Sequence, residues 1–201
     1  MAKITLTNFL DFTAATGTGR LTQVRKAKAQ DGVPYNPATD YWRRLREQIR
    51  EEFERGWAGA ESLRRVGVSS SDPKKQERYG ECVKGLARWT RGKTFGRSRH
   101  RTGIWTSGDL TVSINPELTL EIDGQVTAVK LYFRGDPLAK PRVNTLLYLL
   151  DKGIPGKARP AILDVPRGKL IVETVRVPDL DIVLEGDAAQ FLTMWQRLDT
   201  D

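Results

Sequence analysis

The sequence predicts an α+β fold: a mixed or antiparallel sheet built on one central β-hairpin and flanked by helices. Three observations carry that expectation. Two runs rich in Val, Leu, Ile and Tyr flank Asp123-Gly124 within 115–133, and amphipathic helical patterns lie before them at 40–56 and after them at 141–152. Asp-Gly supplies the two positive-φ positions of a type I′ turn, which makes 115–133 a hairpin.

That turn sets the pairing: Ile122 opposite Gln125, Glu121 opposite Val126, Thr119 opposite Ala128, Glu117 opposite Lys130. Leu118, Leu120, Ile122, Thr127, Val129 and Leu131 then share a nearly apolar face that should meet the core. Glu117, Thr119, Glu121, Ala128 and Lys130 share the opposite face, expected to be polar.

From the start of the chain, Thr5–Ala15 offers Thr7 or Asn8 as the N-cap of a short helix that Gly17 ends. Between Gly17 and Thr39, glycines, prolines and polar residues around Arg20, Arg25, Lys26 and Lys28 predict a loop, with or without a short strand. Gly17-Thr18-Gly19 lacks the spacing and the following Lys-Ser/Thr of a phosphate-cradling loop. Asp40 should cap the helix at 40–56, where Trp42, Leu45, Ile49 and Phe53 form the apolar stripe. Arg43 with Glu47, and Glu51 with Arg55, make i,i+4 pairs on its wet side.

A loop through Ser69-Ser70-Ser71 leads to a helix at 73–91, capped by Asp72 and opened by Pro73, with Tyr79, Val83, Leu86 and Trp89 inward. Gly80 and Gly85 each weaken that helix by about 1 kcal/mol relative to alanine, so it needs support from the fold or a ligand. Leu110–Ile114 reads as a strand feeding the hairpin. After the hairpin, Pro141 opens a helix that stops at Gly153. The runs PAILDV and KLIVETV read as strands joined by a three-residue turn with Gly168 in the bulge position. The chain closes with two helical stretches, one opened by Pro178-Asp179 and one capped by Asp187.

A chain of 201 residues suits one compact domain, with 1–105 its basic, mainly helical part and 106–201 the α+β core. Cys82 is the single cysteine, which excludes an internal disulfide and suits a reducing compartment. No apolar run reaches the roughly 18–20 residues of a membrane span, and the opening residues lack the apolar core of a signal peptide. A soluble cytoplasmic protein is expected. His100, the single histidine, lies among arginines that disfavour its protonation and repel cations, which argues against a histidine zinc site and a Ser-His-Asp triad. Any metal would be held by carboxylates.

The net charge of +8 is unevenly spread: residues 1–105 carry 22 Lys and Arg against 11 Asp and Glu, residues 106–201 carry 11 against 14. From Cys82 to Gly108 there is no acidic residue, while Lys84, Arg88, Arg91, Lys93, Arg97, Arg99 and Arg101 alternate with Trp89, Phe95 and Trp105. Such a run meets a polyanion or faces water as a strong field. Against nucleic acid, DNA or RNA, the cations would hold phosphates while Trp89 and Trp105 stack on bases. In the plainer reading the run is a solvated loop whose tryptophans belong to the core.

The order helix, three strands, helix, strand, with Pro116-Glu117 on one strand and Ala128-Val129-Lys130 on the next, resembles the restriction-endonuclease-like nucleases of the PD-(D/E)xK superfamily. The resemblance spans about 40–172 in outline and is residue-specific only over 116–130. It implies a nuclease-like scaffold with a Mg²⁺ or Mn²⁺ site, Glu117 as metal ligand and Lys130 orienting the nucleophile. Ala128 stands where the family places a second carboxylate; Glu121, Glu47 and Glu51 are candidate replacements, Glu121 for metal binding and catalysis on the hairpin itself. Without chemistry, Glu117 and Lys130 are a cross-strand ion pair contributing roughly 0.2–1 kcal/mol. The function expected is nucleic-acid binding on that scaffold, with an active, rearranged or inactive acidic site. The alternative is a non-catalytic interaction module or accessory subunit whose basic segment docks on an acidic protein partner.

Overall fold

The computed structural model describes all residues except 35, 38, 39, 69, 70, 173–176 and 199–201. Before the hairpin run β1 (Ala2–Thr5), α1 (Leu6–Ala14), α2 (Thr18–Ala29), α3 (Arg43–Arg55), α4 (Glu61–Val68), α5 (Pro73–Thr90), β2 (Gly103–Ser107) and β3 (Leu110–Ile114). The hairpin is β4 (Leu118–Ile122) and β5 (Gln125–Tyr132), followed by α6 (Lys140–Gly153), β6 (Arg159–Asp164), β7 (Lys169–Val172) and α7 (Leu180–Arg197). The fold is α+β.

Asp123 and Gly124 both have positive φ, 48° and 84°, and the ladder runs from Ile122 opposite Gln125 to Leu118 opposite Val129. The register predicted from the turn is the register observed. Beyond the hairpin the chain crosses over through α6, so β6 lies parallel to β5, and β7 returns antiparallel to give the order β4-β5-β6-β7. A crossover helix is how parallel neighbours must be joined.

Leu110–Ile114 forms a strand, as expected, but in a second sheet. β3 is the centre strand between β1, parallel to it, and β2, antiparallel to it. The segment at 103–107, expected within the basic loop, is strand because Trp105 and its neighbours pair with β3, and β1 forms because 2–5 find the other edge of that strand. Long-range pairing of this kind leaves little local signal.

Each face of the β4–β7 sheet meets a different core. Leu118, Leu120, Ile122, Val129, Leu131, Ala161 and Leu163 pack with Leu45, Ile49 and Phe53 of α3, Leu63 of α4, and Tyr79, Val83, Leu86 and Trp89 of α5. On the reverse face Ala128 and Ile162 join the core of α6, α1, α7 and the β1-β3-β2 sheet. The face expected to be polar is therefore largely inside: Thr119 is 4 % exposed and Ala128 1 %. The alternation was right; what covers the second face is α6, which sequence spacing alone does not reveal.

Three local expectations need correction. Thr5, not Thr7 or Asn8, caps α1, accepting the Asn8 N–H at 3.2 Å. Residues 18–29 are helix rather than loop. Its inward stripe is narrow, chiefly Val24 and Ala27, and tertiary contacts hold it: Arg20 pairs with Asp187 at 2.9 Å and Lys28 donates to the Trp195 carbonyl at 2.7 Å. The C-terminal stretches are one continuous helix, with Asp187 mid-helix facing Arg20; burial raises the Asp187 pKa against the opposing pull of Arg20. α4 was also unexpected, and part of the loop predicted at Ser69-Ser70, like the end of the KLIVETV strand, lies outside the described residues.

Close packing explains one of the two glycines of α5, Gly85. A Cβ there would stand 1.9 Å from the Val165 carbonyl and 2.6 Å from that of Pro166, so the helix backbone rests directly on the β6–β7 turn. Gly168, at φ +61° in that turn, makes the reciprocal approach to the Gly85 carbonyl. The fold supplies the support that this helix requires. Among the described residues no helix is long and apolar enough to cross a membrane.

Candidate functional site

Just before β4 begins, side chains take over from the ladder. Pro116 has no N–H with which to extend it. The Glu117 carboxylate accepts Lys130 Nζ through Oε1 at 2.7 Å and the Leu131 N–H through Oε2 at 2.8 Å, while Lys130 also donates to the Asn115 carbonyl at 2.8 Å. The two side chains are only 10 % and 21 % exposed, so this is a sheltered pair with both carboxylate oxygens engaged. Glu121 is exposed near the turn of the same strand.

Mg²⁺ or Mn²⁺ would require carboxylates converging on one point. The arrangement brings no such set together: the Glu117 oxygens are engaged by Lys130 and the Leu131 N–H, and Ala128 sits in the core. Glu47 and Glu51 pair with Arg43 and Arg55 on α3, against the other face of the sheet. Among the described residues no three His, Cys, Asp or Glu side chains gather. Asp164, a buried acid at the end of β6, is held by Arg167 at 3.0 Å. Cys82, 1 % exposed, has its thiol pushed up to about 12, first by burial and then by Glu81 and Asp164, so it is no nucleophile near neutrality.

The basic segment after α5 is laid along the free edge of β4. Asp123 N–H donates to the Thr94 carbonyl at 3.1 Å, Gly96 N–H to Glu121 at 2.9 Å and Arg99 N–H to Thr119 at 2.8 Å, while Ser98 N–H reaches the Phe53 carbonyl at 2.9 Å. Arg97, Arg99 and His100 are exposed, and Arg101 is half-buried, donating to the Pro155 carbonyl at 3.4 Å. The aromatics of the run turn inward. Trp89 is 3 % exposed in a cluster with Phe53 and Phe95, and Trp105 packs on Phe9 with ring centroids 5.4 Å apart. They belong to the core, and what the segment displays is charge on a fixed edge.

A concentration of cations lies one step earlier. Arg64 of α4, Arg78, Lys84 and Arg88 of α5, Arg91 at its end and Arg167 of the β6–β7 turn line a cleft of about 690 Å³, whose lining includes one carboxylate, Glu81. Arg88 donates to the Pro166 carbonyl at 3.0 Å, and Arg167 to the Gly135 carbonyl as well as to Asp164. Arg78 pairs with Glu81 at 3.4 Å and Arg64 with Glu61 at 3.0 Å, whereas Lys84 and Arg91 have no carboxylate partner among the described residues. Arg88 and Arg91 were sequence candidates, and Lys93 follows them in the edge segment. Lys84, Arg88 and Arg91 recur at i, i+4 and i+7 and mark one face of α5 and its end in the sequence, a signal that was there to be read. Arg167 joins them only through the fold.

No family model, curated protein or solved structure matches the chain. The functional reading rests on this geometry.

Proposed function

We propose that this is a nucleic-acid-binding protein that grips phosphates through the α5 cleft and the edge segment that follows it. One observation supports the reading above others: the fold gathers Lys84, Arg88 and Arg91, from a stretch without a carboxylate at 82–108, with Arg64, Arg78 and Arg167 from outside it in one cleft. Charge that the protein leaves unanswered is a field for a polyanion, and a phosphate backbone answers it by releasing its counterions. Glu117 and Lys130 act here as the clasp that ends the hairpin ladder. A metal-dependent nuclease would need a cation to share the Glu117 oxygens with Lys130 and the Leu131 N–H.

The experiment is binding to single- and double-stranded DNA and RNA across a salt series, with Mg²⁺ or Mn²⁺ added and the nucleic acid recovered afterwards. Steeply salt-dependent binding without cleavage is the expected result. Replacing Arg97, Arg99 and Arg101 by alanine should weaken binding and flatten the slope of log K against log salt by about 2–3. Unchanged affinity and slope would remove the edge segment from the interface. Cleavage lost in Glu117→Gln and Lys130→Ala would turn the clasp into a catalytic pair, and no binding at all would favour an acidic protein partner.

A further inference from the structure

The α5 cleft holds more positive charge than one backbone phosphate can neutralise. Six cationic side chains and one carboxylate line about 690 Å³, and the cations come from three separate pieces of chain, α4, α5 and the β6–β7 turn. An internal phosphodiester brings a single negative charge, whereas a phosphomonoester carries about −1.5 to −2 near neutrality and offers three acceptor oxygens. Guanidinium groups meet such oxygens with paired N–H donors, and Arg88 and Arg167 are already anchored through backbone carbonyls at Pro166 and Gly135. Lys84 and Arg91 contribute cations with no internal partner among the described residues. The contact of Gly85 with Val165 and Pro166 keeps α5 seated on the turn that bears Arg167, so the walls of the cleft are preset.

We infer that the cleft is a terminal-phosphate pocket: it seats a phosphomonoester, carried by the end of a nucleic-acid strand, between Arg88, Arg167 and the cations of α5. The same chemistry is offered by a free nucleoside monophosphate, and the two sources are separable by experiment. In its strand-end form the inference rests on the nucleic-acid reading.

The test compares internally labelled oligonucleotides of one sequence that carry a 5′-phosphate, a 3′-phosphate or hydroxyls at both ends, with the full chain at constant salt. One phosphate-ended form should bind about tenfold more tightly than the hydroxyl-ended form. Inorganic phosphate should erase the difference by competition. The advantage should disappear in Arg88→Ala and in the double variant Lys84→Ala/Arg91→Ala, whose two side chains make no ion pair among the described residues, and survive in Arg99→Ala. Equal binding of all three forms, or an advantage that persists in the cleft variants, overturns the pocket while leaving the nucleic-acid reading in place. If no oligonucleotide binds but a nucleoside monophosphate does, and the cleft variants abolish that binding, the pocket stands with a free phosphate ester as its occupant and the nucleic-acid reading falls. Binding of none of these probes overturns both.

Discussion

Two clusters of charge flank the same sheet and differ in how fully the protein answers them. At the base of the hairpin, Glu117 and Lys130 meet each other and the backbone at 2.7–2.8 Å, leaving no carboxylate oxygen idle. In the α5 cleft six cations face one carboxylate on the lining, and Lys84 and Arg91 have none to pair with among the described residues. Paired charge at a strand end behaves as part of the fold; unpaired charge in a concave surface calls for something from outside. A resemblance built on the first cluster therefore draws attention to the motif, while the second carries the stronger case for a ligand.

The largest test of the contrast concerns the two sides of α5, cations outward and Cys82 inward. The Cys82 thiol is raised to about 12 by burial, so the stability that depends on its protonated form is intact below its ordinary 9.0 and is lost as pH rises through 12. The loss is up to about 4 kcal/mol, seen by denaturant unfolding at successive pH values as a gap between wild type and Cys82→Ala that narrows on the alkaline side. A constant gap would show that the thiol does not titrate there.

Gly85→Ala should come next. Its methyl group would collide with the Val165 and Pro166 carbonyls, costing about 3 kcal/mol in unfolding free energy and loosening the cleft with it. Gly80→Ala, where a Cβ meets nothing within 4 Å, should instead be neutral or slightly stabilising. Similar effects from both would mean that α5 does not rest on the turn.

Glu117→Gln sharpens the comparison from the other cluster. It should cost about 2 kcal/mol of stability, because Lys130 loses its charged partner in a sheltered site, and should leave nucleic-acid affinity untouched. Lost binding with unchanged stability would reverse the assignment of the two clusters. Smallest is Arg99→Ala, an exposed edge cation, which should weaken binding by about threefold to tenfold and lower the salt slope by about 0.7–0.9.

Much of this architecture was legible where local chemistry decides it. Asp123-Gly124 set a register that the fold kept, and Asp72-Pro73 marked the start of α5 at its true position. Long-range pairing was not legible: β1 finds β3 across about a hundred residues, and nothing within 2–5 announces it. α2 escaped because two buried residues in twelve give almost no helical stripe, the rest of its support coming from α7. For the site, the spacing of Lys84, Arg88 and Arg91 and the inward place of Trp89 in the apolar stripe were visible, whereas Arg64, Arg78 and Arg167 join the cleft only through the fold. The polar hairpin face misled because alternation says which residues share a side and not what covers that side.

The segment that runs along β4 has a second consequence. A bare edge strand is a template on which another chain can add itself, and here Thr94, Gly96 and Arg99 already occupy those backbone positions with a stretch of chain rich in like charge. The residues of this basic strip thus also seal the rim of the sheet and repel their own kind. A partner that pulled this strip away would unzip the rim, and copies of the protein would then be able to join edge to edge.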